Sequence, residues 1–381
     1  MKQVLLLVGL LFIIQSCVFS QGNNREFNTQ AGKKFTLDSD IGGSITINSW
    51  DKNTVSVQIK SSKDNLDEFD FKYSQDATGV SLKATKKSPG NKWSNHNLEY
   101  VVKVPAQYDL DLNTSGGNIE INGVKGLITG KTSGGNLKMN NLKGTLDLKT
   151  SGGNITLENI EANGSTKTSG GNITVNNLKG EIDLKTSGGN ISLDGSEFKG
   201  NVGTSGGNIT FKNSSVEGDV KTSGGNIKVD KAPKGTSVAT SGGNITVSSA
   251  NDHIVAKTSG GNINIDEIDG YIQAKTSGGN IKAKMIGDPA TGKRDVELVS
   301  SGGDIYLTVP AGLDMDIEVR TTYSDRWGNN KKPEIISDFN LNVTENAEKD
   351  HTVISGTGKV GSGKNKIIIK TSGGDIHLKK G

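Results

Sequence analysis

The chain has 381 residues, 52 of them glycine, with 31% apolar and 5% aromatic residues and a formal net charge of +3. So few aromatic rings exclude a wide globular core, and the near-balanced charge excludes the composition of a disordered chain. What remains is an ordered fold with a thin aliphatic core.

Residues 1–20 read as an export signal. Lys2 supplies a basic start, and Val4 to Ile14 form an apolar stretch of eleven residues, short for a bilayer span and of secretory length. Val18-Phe19-Ser20 before Gln21 fits ordinary signal-peptidase cleavage. Ile14-Gln15-Ser16-Cys17 is an imperfect lipobox, with Gln15 unusual at its place, that would make Cys17 a lipid anchor. Both processing routes stay open. Cys17 is the single cysteine, so neither an intramolecular disulfide nor a thiolate metal site is expected. No second apolar span follows, and the mature chain is expected outside the cytoplasm: in the periplasm, on the outer membrane if lipidated, or at the cell surface.

Residues 21–112 contain alternating runs such as Val55-Ser56-Val57-Gln58-Ile59 and Val80-Ser81-Leu82-Lys83-Ala84, interrupted by a polar loop from Lys86 to Asn97. This segment is expected to form irregular coils that act as a cap. Ile41-Gly42-Gly43-Ser44 in it is a degenerate copy of the motif that dominates the next segment.

Residues 113–285 are periodic. Ser-Gly-Gly-Asn begins at Ser115 and recurs every 18 residues through Ser277, ten copies without a slip. A fixed period near twenty marks a solenoid, in which an inserted residue would throw every stacked column out of register. Leu146-Asp147-Leu148-Lys149-Thr150 leads into the glycines and Ile155-Thr156-Leu157 follows them. This period-two alternation predicts short strands with one buried face. The predicted fold is therefore all-β: a single-stranded parallel β-helix with 18-residue coils. Ile119, Leu137, Ile155 and their successors to Ile281 form one inward column, and Ile121, Met139, Leu157 and their successors to Ala283 a second. At about 4.8 Å per rung the nine intervals span roughly 43 Å, and one aliphatic residue per coil per column suffices for a core. Gly116, Gly117 and Asn118, like Gly152, Gly153 and Asn154, are expected to make a tight structural corner. The glycines would supply backbone angles closed to other residues, and the Asn column, like the Thr column from Thr114 to Thr276, would pass hydrogen bonds from rung to rung.

Residues 286–381 return to irregular coils, with loops near Asp288-Pro289 and around Trp327-Gly328-Asn329-Asn330. Val309-Pro310-Ala311 ahead of Asp314-Met315-Asp316 repeats the arrangement of Val104-Pro105-Ala106 ahead of Asp109-Leu110-Asp111. A second cap is expected here, since terminal repeats must shield open strand edges.

Gly43-Ser44-Ile45-Thr46-Ile47 with Trp50-Asp51, Lys103-Val104-Pro105, the Ser-Gly-Gly-Asn-Ile series and the ending Ile369-Lys370-Thr371-Ser372-Gly373-Gly374-Asp375-Ile376 resemble the bacterial "putative adhesin" family of extracytoplasmic β-solenoids, related to the head GIN domain proteins. The resemblance covers essentially the whole mature chain. It implies a right-handed parallel β-helix, an envelope location and a signal of Bacteroidetes style, and it supplies no catalytic residues.

Several chemistries are approached and missed. Gly358-Lys359-Val360-Gly361-Ser362-Gly363-Lys364-Asn365 nearly spells a phosphate-binding loop, but Asn365 stands where Ser or Thr must hold Mg²⁺, and Ile367-Ile368-Ile369 continues as strand. Calcium β-rolls need a carboxylate after the glycines, where the ten regular copies have Asn and only Asp304 and Asp375 depart. His96, His253, His351 and His377 lack metal-ligand spacing, so no metal and no cofactor is expected.

The surface feature with most to say is lysine. Lys131, Lys149, Lys167, Lys185, Lys221, Lys257 and Lys275 precede Thr-Ser-Gly-Gly in seven of the ten copies. Alternation turns them outward, as a solvated face or as a multivalent stripe for anionic polysaccharide or lipid head groups. Few arginines and no interleaved aromatics argue against nucleic acid. The expectation is a non-enzymatic, exported surface solenoid of adhesin type. Alternatives are a carbohydrate-active enzyme using the loop-bearing ends, with Asp325 and Arg326 to test, and an envelope-stress or scaffold component with an envelope protein as partner. Ice binding through the Thr column would need flat Thr-x-Thr pairs, which the sequence lacks.

Overall fold

The computed structural model describes residues 24–63, 65–88, 98–324 and 332–381. The signal, Cys17, His96, Asp325, Arg326 and the Trp327 loop lie outside the described residues. Among these residues there is no α-helix, only a 3₁₀ turn at Leu66–Glu68. The strands stack in parallel with an 18-residue offset: Ile155 lies beside Ile173, and the column continues through Ile191, Ile209, Ile227, Ile245 and Ile263 to Ile281. The parallel solenoid expected from the period is what the chain forms.

Each coil has three sides. Where the strands break cleanly they run Ile191–Asp194, Glu197–Lys199 and Val202–Thr204, and one coil on, Ile209–Lys212, Ser215–Glu217 and Val220–Thr222. Ser-Gly-Gly-Asn makes one corner. A second is a residue in the left-handed region, filled by Asn141, Asn159, Asn177 and Asn213 with φ between 44° and 57°, a conformation asparagine tolerates better than most. A shift of the third corner by two residues between coils separates Gly144 and Gly180 from Gly164 and Gly200, all at φ from 121° to 133°. The core is one unbroken aliphatic column bundle. It includes the two predicted columns and a third, Val124, Leu142, Ile160 and Leu178, interrupted by the buried Ser196 and Ser214 and resuming as Ala232, Ala250 and Ile268.

At both ends the chain order is interleaved. Strands Lys34–Ser39 and Ser44–Trp50 form a coil that lies between Asp109–Thr114 with Ile119–Asn122 on one side and Gly79–Lys86 with Leu98–Pro105 on the other. The chain therefore lays the second rung before the outermost one and then returns over itself. At the other end Asn365–Ser372 and Ile376–Lys380 slot between the coil Val296–Ser300 with Ile305–Val309 and the coil Met315–Tyr323 with Ile335–Ser337. Outside these rungs pairing turns antiparallel. Phe69–Gln75 covers Gly79–Lys86, Thr54–Ser61 covers Leu98–Pro105, and Thr352–Val360 covers Met315–Tyr323. Antiparallel covering blunts the edges that a parallel stack leaves open.

One step departs from the period: Ile272 pairs with Val296, and the added residues form the loop after Met285. Arg294, its side chain 2% exposed, pins that loop by donating to the carbonyls of Ile286, Asp288 and Thr291 and to the carboxylate of Asp269.

Candidate functional site

The Lys-Thr-Ser-Gly-Gly-Asn segment alternates outward and inward, and its hydrogen bonds explain the residue types. The Thr column is buried. Thr168 Oγ1 donates to the carbonyl of Gly153 in the preceding coil at 2.8 Å and accepts from its own Gly171 N–H at 3.3 Å. The same pair of bonds recurs at Thr132, Thr150, Thr186, Thr204, Thr222, Thr240, Thr258 and Thr276. A buried column of this kind presents no hydroxyls to solvent, so this Thr column is not an ice-binding face.

The Asn column makes one side-chain amide bond of the kind expected, from Asn136 to Asn118 at 3.3 Å, but otherwise works differently. Asn154 N–H donates to Asn136 Oδ1 at 2.8 Å, and Asn172 N–H to Asn154 Oδ1 at the same distance. The side-chain oxygen thus satisfies backbone, coil after coil. True amide-to-amide ladders run instead near the second corner, from Asn140 to Asn122 at 2.7 Å and from Asn177 to Asn159 at 3.0 Å.

The glycine pair also needs a corrected reason. Neither Gly152 nor Gly153 has φ in the left-handed region. A Cβ on Gly153 would stand 1.9 Å from the carbonyl oxygen of Gly135 below, whereas one on Gly152 meets nothing nearer than 3.9 Å. Close stacking of backbones demands the second glycine, and the same holds for Gly117 over Gly43. The degenerate first copy and Gly373-Gly374 stack on their neighbours as the regular corners do: Thr114 donates to Gly43, and Thr371 to Gly303.

Lysines flank this corner on its outer surface. Lys131, Lys149, Lys167 and Lys185 are register partners on four successive rungs. Gly203 follows, then Lys221, Ala239, Lys257 and Lys275. The column runs on through Val299 to Lys370 and Arg320, two cations missed in the sequence because the period breaks before them. Adjacent ammonium groups about 4.8 Å apart repel by roughly 0.9 kcal/mol in water before screening. Carboxylates answer some of them: Asp183 meets Lys185 at 3.2 Å, Asp219 meets Lys221 at 2.6 Å, Glu297 meets Lys275 at 2.5 Å and Glu318 meets Lys370 at 2.8 Å. Lys131, Lys149, Lys167 and Lys257 have no ion pair among the described residues. A shallow groove of about 460 Å³ lies along Lys149, Lys167, Lys185 and Lys221, with Gly203 leaving a notch in the column.

The side that follows the second corner has a different character. A cavity of about 560 Å³ there is lined by Glu197, Lys199, Glu217, Lys234 and His253. Its charges are matched within the protein: Lys199 pairs with Glu217 at 3.0 Å, Lys234 with Glu197, and His253 meets Asp252 at 2.8 Å.

The near-miss phosphate loop does bind an anion, and the anion is internal. Asp314 accepts from Gly363 N–H at 2.5 Å, Lys364 N–H at 2.8 Å and the Ser362 hydroxyl at 2.6 Å. These bonds, the Ser362 hydroxyl foremost, hold the Asp314 carboxyl down to about 2. Among the described residues no group of three or more His, Cys, Asp or Glu is placed to hold a metal, and no helix is long and apolar enough to cross a membrane.

Comparison with known proteins finds no match among the curated sequences. Among solved structures the chain is similar to a "putative adhesin" from Parabacteroides distasonis, at 15% identity over 74% of this chain and 95% of that one, TM-score 0.32. A "putative adhesin" from Bacteroides fragilis shares 16% identity over 66% and 95%, TM-score 0.30. A "putative cell adhesion protein" from Clostridium sporogenes shares 11% identity over 94% and 99%, TM-score 0.17. The family described as Toastrack DUF4097 matches residues 33–267 and 249–379, so that nearly the whole of the described stack falls within it, and the chain belongs to the Toastrack DUF4097 family.

Proposed function

We propose that this protein is a non-enzymatic, exported solenoid of the cell envelope or surface, an adhesin that holds an anionic surface polymer against its lysine face. The kinship with head GIN domain proteins read from the sequence belongs to the same proposal. One observation carries the reading: lysines on successive rungs stand in a single column beside a groove, three neighbours of them without a carboxylate partner. Around the Glu197 cavity, by contrast, the charges pair off. A rigid column of cations binds a flexible polyanion by many weak contacts, so its affinity falls steeply with salt.

The test replaces Lys131, Lys149, Lys167, Lys185, Lys221, Lys257 and Lys275 together by Gln and measures binding to acidic polysaccharide and to anionic vesicles across ionic strength. The expected result is lost binding and a flattened salt dependence, with the circular dichroism of the stack unchanged. Equal binding by the variant would remove the lysine face from the function.

A further inference from the structure

Resting on that reading, we infer that the segment from Lys131 to Lys185 is a rung-matched site for a linear polyuronate, taking one uronate per coil along the axis. Each coil presents Lys outward, Thr inward and Ser outward, so every rung sets one ammonium group and one hydroxyl on either side of a buried residue. The Thr hydroxyl is consumed inside the stack. The Ser151, Ser169 and Ser187 hydroxyls are exposed and have no side-chain hydrogen bond among the described residues. The groove follows these two lines of side chains past Lys149, Lys167, Ser169, Lys185 and Ser187.

A ligand matching this pattern carries one negative charge and several hydroxyls per repeat, and its repeat advances by one rung, about 4.8 Å. A linear acidic sugar meets all three demands, since one pyranose residue advances its chain by roughly that distance. Polyphosphate has the charge without hydroxyls and a shorter repeat. A bilayer fits worse. The lysine column is one residue wide, and Asp147, Asp183 and Asp219 stand in the column beside it. Among the described residues, none of the exposed large apolar side chains, Leu127, Tyr306 and Val343, belongs to the groove. The pairing pattern places the site: Lys131, Lys149 and Lys167 are free for an external carboxylate, while Lys185 and those beyond it are largely answered from within.

The experiment titrates the full-length protein with oligogalacturonates of two to eight residues. Hyaluronate, with one carboxylate per two sugars, polyphosphate, and phosphatidylglycerol vesicles serve as comparison arms. The expected result is affinity that rises severalfold with each uronate up to about four and then levels, with weaker binding of the other three at equal charge. Lys149→Gln and Lys167→Gln should each lower it severalfold, Ser169→Ala less so, and Lys212→Gln, exposed but outside the lysine column and its groove, not at all. Affinity that follows total charge alone, equal for hyaluronate, polyphosphate and vesicles, would overturn the rung-matched site while leaving the broader anionic-polymer reading in place. No binding to any of the four removes both.

Discussion

Gly152 and Gly153 are adjacent and look interchangeable in the sequence, yet only one is required. Gly153→Ala drives a Cβ into the carbonyl of Gly135 and should cost about 3 kcal/mol or more, because a backbone neighbour cannot move aside. Gly152→Ala should stay within about 1 kcal/mol of the parent, and urea denaturation of the two variants decides it. Thr166 and Thr168 make a second pair. Thr166 sits between Leu148 and Leu184, fully buried, and its hydroxyl has no partner among the described residues. Thr166→Val should therefore stabilise the chain, by about 1 kcal/mol. Thr168→Val strips two backbone groups of their partner and should destabilise by about 1–3 kcal/mol in the same melt. Asp314 gives a pH signature. Its folded pKa of about 2 lies below the unfolded value, so its contribution to stability is full above about pH 4 and disappears as pH falls through about 2. Asp314→Asn should lose the acid-range difference from the parent, and Asp314→Ala should leave a nest of N–H groups whose stability is partly restored by phosphate.

At the scale of the element, the coil is the unit of change. Removing residues 155–172 joins one complete corner to the next and lays Leu137 beside Ile173, the pairing every other coil already uses. The shortened protein should fold cooperatively, with its long axis reduced by about 4.8 Å in small-angle scattering. Deleting Thr156 alone should lower the melting temperature markedly, because Leu157 is turned outward against Met139 and Val175, which keep their inward places. The regular sides were legible from the sequence because Leu148-Lys149-Thr150 and Ile155-Thr156-Leu157 alternate strictly. The third side was not read. Its inward column of Val124, Leu142, Ile160 and Leu178 is interrupted by Ser196 and Ser214, and the positions equivalent to Gly180 are as unlike as Ala162, Phe198, Val216 and Lys234. The lysine column was visible from its spacing, but which lysines face a carboxylate depends on Asp183, Asp219 and Glu297, whose reach only the fold fixes.

For the whole molecule, the interleaved ends matter most. Strands Asn365–Ser372 and Ile376–Lys380 are synthesised after the rungs on both sides of them, yet they pair with both. Met315–Tyr323 therefore cannot find its parallel partner when it is made. A chain halted near residue 364 carries a vacant shelf, one rung high, framed by two facing rows of peptide groups. Completion waits on a keystone made after both of its neighbours, and until it arrives, the same berth is open to the corresponding strands of a neighbouring copy.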